Sequence, residues 1–414
     1  MTIGVMISGG APTLHLAAGA LCAFYEGQQA AHQPRFDVVA AAGAGALPGL
    51  LYVAPKGGNV TDALKSVVNL NVYDAIYRLI PANFKVFFKY GPFSQFFYGL
   101  AHSLPRFELA PSERYHNRPQ RLYNDLLDLF MTAITPTTLN PTSKSVLTRV
   151  EVVNNLVDWE ALRNYPGQFY LNAFRLQDPR ILEVFDKRTM TPEHFYAALA
   201  MPWLYPPTPA GAGLFTEGAS HDPSALQALL QNDVPNAQAL DAMIAIDTVG
   251  PDVWVDPESL YEALQLTIMD PIVTLAENVV ALYALMELVL NDAGIRLPKM
   301  YRLQFDIPQW EAGKLMEWSY ANALTLWDAG YKAAQNFWAD MTAPSQALLA
   351  SGLGPAQGLP AERHRYLRTL TPESRAEDFL KLLGVTLPEP PVVQQVQPGP
   401  PPGYWNPFDQ SGNR

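Results

Sequence analysis

The sequence predicts an α/β fold with a mainly parallel central sheet, because a strand, a small-residue turn and a helix follow one another twice near its start. The first unit has an apolar run over 4–7, a turn at Ser8-Gly9-Gly10, and helical spacing of apolar residues over 14–25. The second unit has an apolar strand over 36–40 and a helix over 46–53. Strands that are joined through helices in this way usually lie parallel in one sheet.

Further strands are predicted downstream. The segments 169–175 and 181–185 flank the turn-forming Gln177-Asp178-Pro179 and are typical of an antiparallel pair. Another core strand is predicted over 243–247. We therefore assign residues 1–250 to an α/β domain, with a helical insertion over about 73–135.

The insertion is crowded with aromatic residues. They are Phe84, Phe87, Phe88, Tyr90, Phe93, Phe96, Phe97 and Tyr98. One interpretation is a helical subdomain packed on the core. The other is a lid or a membrane-interface surface, with Lys85 and Lys89 near lipid headgroups and the possibility of peripheral membrane contact.

A helical C-terminal extension is predicted over 251–387, packed on the α/β domain. Its segment 260–290 is nearly all apolar, and a break between two helices is expected near Asp270-Pro271. The part after the break approaches the length of a membrane span, but it contains Glu277 and Glu287, and acids at the centre of a membrane are costly. We expect a buried or subunit-interface helix there, and a further amphipathic helix or helix pair over 310–341.

The last residues, 388–414, are rich in proline and cannot form a packed core. Their aromatic cluster, Tyr404, Trp405 and Phe408, has two interpretations: it docks on a neighbouring subunit of a homo-oligomer, or it belongs to a disordered tail.

Composition excludes several classes of function. The 414 residues include 28 basic and 39 acidic ones, for a net charge of −11, and no basic block suggests nucleic-acid binding. The single cysteine, Cys22, excludes an internal disulfide and a thiolate metal site. The seven histidines follow no metal-binding spacing, so we expect neither a metal nor another cofactor. The N-terminus resembles a first strand rather than a signal peptide, which predicts a cytoplasmic location.

The second strand–turn–helix unit has the layout of a nucleophile elbow, where hydrolases carry G-x-S-x-G. The five corresponding positions read Ala41-Ala42-Gly43-Ala44-Gly45. Gly43 stands where the serine would be, and a glycine has no side chain with which to attack a carbonyl. The pattern therefore indicates a hydrolase scaffold and at the same time argues against hydrolysis.

These motifs give the chain a likeness to the patatin-like phospholipases, over about residues 3–250. Its blocks occur in the family's order: Ile7-Ser-Gly-Gly10 with Gly19 and Leu21, the elbow over 41–47, Phe169-Tyr-Leu-Asn-Ala173, and the run over 194–207 followed by Glu217-Gly218-Ala219. No single block is specific, but their order and spacing resemble the family's. The likeness implies a patatin-like three-layer α/β fold, with the added helical regions and a C-terminal helical segment around it.

The resemblance also implies roles for individual residues. Patatin-like enzymes use a Ser–Asp dyad, with backbone amides of a glycine-rich loop stabilising the oxyanion. The likeness places the nucleophile at Gly43 and the base at Glu217, and it makes Gly9, Gly10 and Ala11 the oxyanion donors.

The site departs from the family at several positions besides Gly43. Glu217 is one methylene longer than the family's Asp, and Ala41 replaces the first glycine of the elbow. In the loop, Ala11 and Leu14 replace glycines and Thr13 replaces an arginine, while Pro12 lacks a backbone N–H. Several departures in one pocket favour a natural loss of the serine over one engineered substitution.

A replacement nucleophile is a weaker hypothesis. Ser220, His221 and Asp222 form a polar cluster after Glu217, but neighbours on an extended chain point apart, so imidazole is not expected to reach the hydroxyl. Ser8 precedes the glycine loop, and we expect its hydroxyl to satisfy local backbone.

Three functions remain compatible with the sequence. The first is a pseudoenzyme that keeps the pocket to bind a lipid, an acyl chain or another apolar ligand, or that forms part of an assembly. The second is an active lipid acyl hydrolase of phospholipase A type with an unusual site around Glu217. The third is a structural or interaction subunit held together by its apolar helices.

Overall fold

The computed structural model describes residues 2–91, 93–109, 118–148, 153–230, 240–248, 260–292, 297–303, 305 and 316–351. These residues belong to one compact unit, Met1–Gly358. The tail over 388–414, with the predicted cluster of Tyr404, Trp405 and Phe408, lies outside the described residues.

The centre of the unit is a mixed sheet. The described strands are β1 (Ile3–Ile7), β2 (Val38–Ala41), β3 (Phe88–Lys89), β4 (Leu147–Thr148), β5 (Gln168–Arg175), β6 (Leu182–Asp186), β7 (Thr208–Ala210), β8 (Gly213–Glu217), β9 (Ala242–Ile246) and β10 (Lys299–Leu303). In the described part of the chain, eight of them form one sheet in the order β10-β9-β1-β2-β5-β8-β7, with β6 paired to β5. The short strands β3 and β4 pair separately.

The run from β10 through β9, β1 and β2 to β5 is parallel, which confirms the predicted α/β fold with a mainly parallel sheet. The strands β6 and β8 run antiparallel to β5, so the predicted antiparallel pair is also present. In a parallel sheet the carboxyl ends of neighbouring strands meet at one edge, and there the turns after β1 and β2 lie side by side.

Helices surround the sheet. They are α1 (Leu14–Ala30), α2 (Ala46–Val53), α3 (Val60–Ser66), α4 (Asp74–Tyr77), α5 (Ser94–Ser103), α6 (Arg118–Ile134), α7 (Val153–Leu156), α8 (Trp159–Arg163), α9 (Pro192–Ala198), α10 (Leu226–Leu230), α11 (Leu260–Asp292) and α12 (Tyr320–Ser351).

The two faces of the sheet bury separate apolar clusters, which agrees with a three-layer arrangement. Successive strand residues point to opposite faces. Val5 and Ile7 of β1 accordingly pack in the cluster that contains α1 and α2, while Met6 packs with Leu229 of α10 and Tyr283 of α11.

Two glycines bring α1 and α12 into backbone contact. A Cβ on Gly19 would lie 1.9 Å from the Trp327 carbonyl oxygen, and one on Gly330 would lie 2.0 Å from the Leu16 carbonyl oxygen. Only glycine permits so close an approach at both positions. The contact fixes α1, and therefore the turn that leads from β1 into it.

The C-terminal extension differs from its prediction in two ways. It contributes a strand, β10, to the central sheet in addition to its helices. The break expected near Asp270-Pro271 is wrong, because α11 continues through Pro271. A proline inside a helix removes one backbone hydrogen bond, and the turns on either side of it can remain helical.

One described segment, Met269–Glu287 of α11, has the length and mean hydropathy (1.3) of a membrane-spanning helix. Only 22% of it is buried, and a single such helix is weak evidence for a span. Its buried residues, Met269, Val273, Ala276 and Tyr283, follow a helical period and face the rest of the unit.

The aromatic residues of the insertion differ in their exposure. Phe84 and Phe88 are buried and belong to a subdomain packed on the core. Phe93 and Phe96 have most of their side-chain surface exposed. Lys85 binds Asp125 through a 2.9 Å ion pair, so its ammonium group points into the insertion rather than toward lipid headgroups.

Candidate functional site

The turn after β2 has the conformation of a nucleophile elbow. β2 ends at Ala41, a single 3₁₀ turn covers Gly43–Gly45, and α2 starts at Ala46. Gly43 has a φ of +48°, in the left-handed region that non-glycine residues rarely adopt. A sharp, strained strand-to-helix turn is the geometry that presents a nucleophile above a sheet. The geometry is present here without the side chain.

The residues assigned to the nucleophile, the base and the glycine loop converge. A Cβ placed on Gly43 would lie 2.6 Å from Glu217 Oε1, 3.2 Å from the Ala219 Cβ and 3.4 Å from the Gly9 Cα. Glu217 ends β8, and Gly9 follows β1, so separate parts of the chain supply the three groups. The structure therefore brings together the positions named by the resemblance; their chemical roles remain predictions.

Glu217 is a buried carboxyl group whose side chain pairs with no other residue that the structure describes. Only 8% of the residue is exposed, and its Oε2 has no hydrogen-bond partner among the described residues. Burial raises its pKa to about 7, and no neighbouring charge contributes to that shift. An uncompensated buried carboxylate is costly, so the group holds its proton into the neutral pH range.

The glycine loop supplies fewer donors than the resemblance implies. The Gly9 N–H already donates to the Pro223 carbonyl at 3.0 Å, so it is not available to an oxyanion. A Cβ on Gly9 would lie 2.8 Å from that of Ala219, which explains the glycine by packing alone. Gly10 and Ala11 make no backbone hydrogen bond to other described residues through their N–H groups, and both line the adjacent cavity.

His15 supports this loop and was not identified as a functional residue from the sequence. Its Nδ1 donates to the Pro12 carbonyl at 2.7 Å. The residue is fully buried, and desolvation lowers its pKa to about 4, so the ring is neutral at physiological pH. The signal in the sequence was a lone histidine on an apolar helix, which does not distinguish this role from a core position.

Ser8 does not satisfy local backbone as predicted, because its partners lie beyond the end of β9. Its Oγ accepts from the Thr248 N–H at 2.7 Å and lies 3.3 Å from Asp247 Oδ1. Asp247 also pairs with Arg302 of β10, which binds Glu277 of α11. This polar network joins β1, β9, β10 and α11 at the carboxyl end of the sheet.

The predicted cluster of Ser220, His221 and Asp222 divides into two parts. Ser220 Oγ lies 3.0 Å from His221 Nδ1, so the expectation that imidazole would not reach the hydroxyl is wrong. The chain turns here instead of extending, and both the His221 and the Asp222 N–H donate to the Gly218 carbonyl. Ser220 and His221 are both exposed, and the His221 ring stacks on half-buried Phe174 with 3.8 Å between the ring centroids.

Asp222 is buried and faces elsewhere. Its carboxylate accepts from the N–H groups of Leu226 and Gln227 at the start of α10, at 3.1 and 2.9 Å. Burial nevertheless raises its pKa. A carboxylate that caps a helix has a structural explanation, and Asp222 does not complete a triad with the Ser220–His221 pair.

A cavity of about 180 Å³ opens beside Glu217 and the elbow residue Ala44. Ala11 and Leu14, which depart from the family pattern, line this cavity and do not fill it. The remaining wall is aliphatic and aromatic, and it includes Leu70, Val86, Phe87, Phe195, Leu199, Met269 and Trp318. These residues could not be grouped from the sequence, because they come from distant segments of the chain.

Among the described residues, no group of three or more His, Cys, Asp and Glu side chains is placed to hold a metal ion. The described cavity has one carboxyl group in a mainly apolar wall, to which Tyr196, Tyr205 and Thr208 add hydroxyl groups. Such a lining suits an apolar ligand with one polar end.

Comparison with known proteins leaves the family open. No family model matches the sequence. No curated protein matches it either. The fold is similar to the crystal structure of VipD from Legionella pneumophila, with 12% sequence identity over 94% of this chain and 81% of that chain, and a TM-score of 0.30. A likeness of that size is distant and carries no argument about function.

Proposed function

We propose that this protein is a patatin-like pseudoenzyme that binds an acyl-chain compound and has lost Ser–Asp hydrolysis. The observation that carries the proposal is the position of the apolar cavity beside Glu217, next to an elbow whose central residue is Gly43. The architecture that would hold an ester is kept, and the atom that would attack it is missing.

The size of the cavity supports a ligand with one short or medium chain. An apolar cavity of about 150 Å³ can bind benzene, a molecule of six carbons, and the cavity here, at about 180 Å³, is slightly larger. We therefore expect tighter binding of a single acyl chain of about six to eight carbons than of a long-chain or diacyl lipid. The apolar wall supplies the affinity through burial of methylene groups, each contributing about 0.8 kcal/mol.

Glu217 supports a polar end that accepts a hydrogen bond. Because burial raises its pKa to about 7, the carboxyl group carries a proton below neutral pH and can donate it to a carbonyl oxygen. Above that pH the carboxylate would repel a fatty-acid anion. Acid binding should therefore weaken as pH rises through 7, while binding of an uncharged alcohol should change little.

Calorimetric titration of the full chain with octanoic acid and with octanol at pH 6 and pH 8 tests this proposal. Leu199→Trp fills part of the cavity, and we expect it to weaken the binding of both ligands at least tenfold. Leu139→Trp, at an exposed position outside the cavity lining, is the matched control and should bind as wild type does. Absence of binding by wild type, or equal binding by both variants, would refute the acyl-binding role.

A hydrolase that uses Glu217 directly is the second candidate, because a base with a pKa near 7 suits activation of a water molecule. Release of nitrophenol from p-nitrophenyl octanoate separates the two functions. The pseudoenzyme gives the same rate for wild type and Glu217→Gln, equal to the rate without protein. Wild-type turnover that disappears in Glu217→Gln would establish the hydrolase instead.

Restoring the dyad tests the patatin-like part of the proposal. In the double variant Gly43→Ser, Glu217→Asp, the shorter acid leaves room for the serine side chain that Glu217 Oε1 now limits. We expect a stoichiometric burst of nitrophenol and an added acyl mass on the protein. Gly57→Ser, Glu217→Asp is the control, since Gly57 has a similar positive φ and lies in open space. Equal behaviour of the two variants would contradict an elbow-type site.

A further inference from the structure

Helix α6 buries its polar side and exposes its apolar side. The buried residues include Arg121, Asn124, Asp125 and Asp128. The exposed residues follow a helical period along about 16 Å of the helix axis: Tyr123, Leu126, Phe130 and Ile134. This arrangement is the reverse of that in an ordinary surface helix, which turns its apolar stripe toward the core.

Specific contacts fix this orientation. Asp125 pairs with Lys85 at 2.9 Å and accepts from the Tyr73 N–H at 2.7 Å. Asp128 is paired with Arg106, whose Nη1 donates to it at 3.1 Å. Rotating the apolar residues inward would leave these buried charges without partners, so their exposure is built into the fold.

The exposed apolar surface extends beyond α6. Phe107 contacts the Tyr123 ring with 5.4 Å between centroids, and it is itself half exposed. On the neighbouring helix α5 and the residue before it, Phe93, Phe96 and Leu100 are exposed, with Phe96 at 65%. We call this set the apolar face: Phe93, Phe96, Leu100, Phe107, Tyr123, Leu126, Phe130 and Ile134.

The charges around the apolar face are unusual for a chain with a net charge of −11. No exposed position of α5 or α6 carries an acid. Among the described residues between Ser94 and Ile134, the exposed acid is Glu108. Lys89 donates to the Ala133 carbonyl at 3.3 Å, which places a cation at the C-terminal end of α6. Among the described residues of this segment, Glu108 beside Phe107 is therefore the one exposed carboxylate next to the apolar face.

We propose that the apolar face inserts into the headgroup–acyl boundary of a phospholipid membrane. A lipid interior requires no hydrogen-bond partners, whereas a protein interface usually has about one hydrogen bond per 100–200 Å². The exposed positions of α6 after Arg118 offer aromatic and aliphatic groups almost exclusively, which fits lipid better than a second copy of this chain. The exposed positions of α5 and α6 carry no acid, which limits the electrostatic repulsion between these helices and anionic headgroups. This inference does not depend on what the cavity binds.

Co-sedimentation of the full chain with vesicles of phosphatidylcholine and a minority of phosphatidylglycerol tests it. We expect Phe96→Ser, Phe130→Ser to lower the partition coefficient roughly thirtyfold or more, since both rings would leave the lipid. Ile181→Ser, at an exposed apolar position outside the apolar face, is the control and should bind as wild type does. Failure of wild type to bind these vesicles, or equal binding by the double variant, overturns the proposal.

A second measurement changes only one residue of the apolar face. Cys22 is buried, so a cysteine introduced at position 96 can be labelled selectively with an environment-sensitive fluorophore. We expect a blue shift on adding vesicles for labelled Phe96→Cys and none for labelled Ile181→Cys. A wild-type dimer that the double serine variant converts to monomer, with no fluorophore shift on vesicles, would assign the apolar face to a second copy and refute the lipid role.

Discussion

Replacing Glu217 with glutamine should change the pH dependence of stability in a defined direction. The folded protein keeps the Glu217 proton up to a pKa of about 7, whereas the unfolded chain releases it near the ordinary value of 4.5. Between these two values the folded state binds one more proton than the unfolded state, so stability falls as pH rises. The contribution is complete below 4.5 and is lost above 7.

The size of the loss follows from the same two values. A difference of about 2.5 pH units corresponds to roughly 3 kcal/mol, at about 1.4 kcal/mol per unit. Glutamine resembles the protonated carboxyl group in shape and stays neutral at every pH. Glu217→Gln should therefore match wild type near pH 4.5 and exceed it by roughly 3 kcal/mol at pH 8.

Urea unfolding of wild type and Glu217→Gln at a series of pH values measures the difference between their free energies of unfolding. Taking this difference cancels the titration of all other groups. Glu108→Gln removes an exposed carboxylate and serves as the control. A difference between wild type and Glu217→Gln that stays constant from pH 4.5 to pH 8 would refute the reasoning. It would mean that the carboxyl group has a partner or is open to solvent.

Two further changes test the packing that holds the site. Gly19→Ala should lower the free energy of unfolding by several kcal/mol, because its Cβ would lie 1.9 Å from a backbone oxygen of α12. Gly99→Ala, in open space on α5, should be neutral or stabilising. Thermal unfolding compares the two variants. Arg302→Ala should destabilise by roughly 3 kcal/mol, because it removes the cation that pairs with both Asp247 and Glu277. Removing both acids as well should recover part of that loss in the same assay.

The central sheet could be predicted from the sequence because its first half is local. β1, α1, β2 and α2 follow one another with short turns, and apolar periodicity marks each of them. The strand β10 could not be predicted in this way. It joins the sheet beside β9 after the long helix α11, and neither its position nor its pairing leaves a local signal.

The candidate site likewise has a part that could be predicted from the sequence and a part that could not. Gly43, Glu217 and the loop at Gly9 could be named from motif order, and they do converge. The cavity wall could not be named, since it depends on tertiary contacts between the insertion, α9 and α11. The reversed burial of α6 was also beyond the sequence, because its ion pairs join residues far apart in the chain and periodicity alone favours burying Leu126 and Phe130.

Gly43 and Glu217 are coupled through the space that their side chains would share. A Cβ at position 43 would meet Glu217 Oε1 at 2.6 Å, so the longer acid occupies space that a side chain on the elbow would need. Gly43→Ala should therefore cost less in a Glu217→Asp background than in wild type, by about 1 kcal/mol, the cost of forcing a side chain off its rotamer. The backbone strain of alanine at a φ of +48° is common to both backgrounds and cancels in a double-mutant cycle followed by urea unfolding. Gly57→Ala, at a φ of +82° with nothing within 4 Å, supplies strain without contact and should show no coupling to Glu217→Asp. Equal coupling at both glycines would mean that the contact with Glu217 does not limit the side chain at position 43.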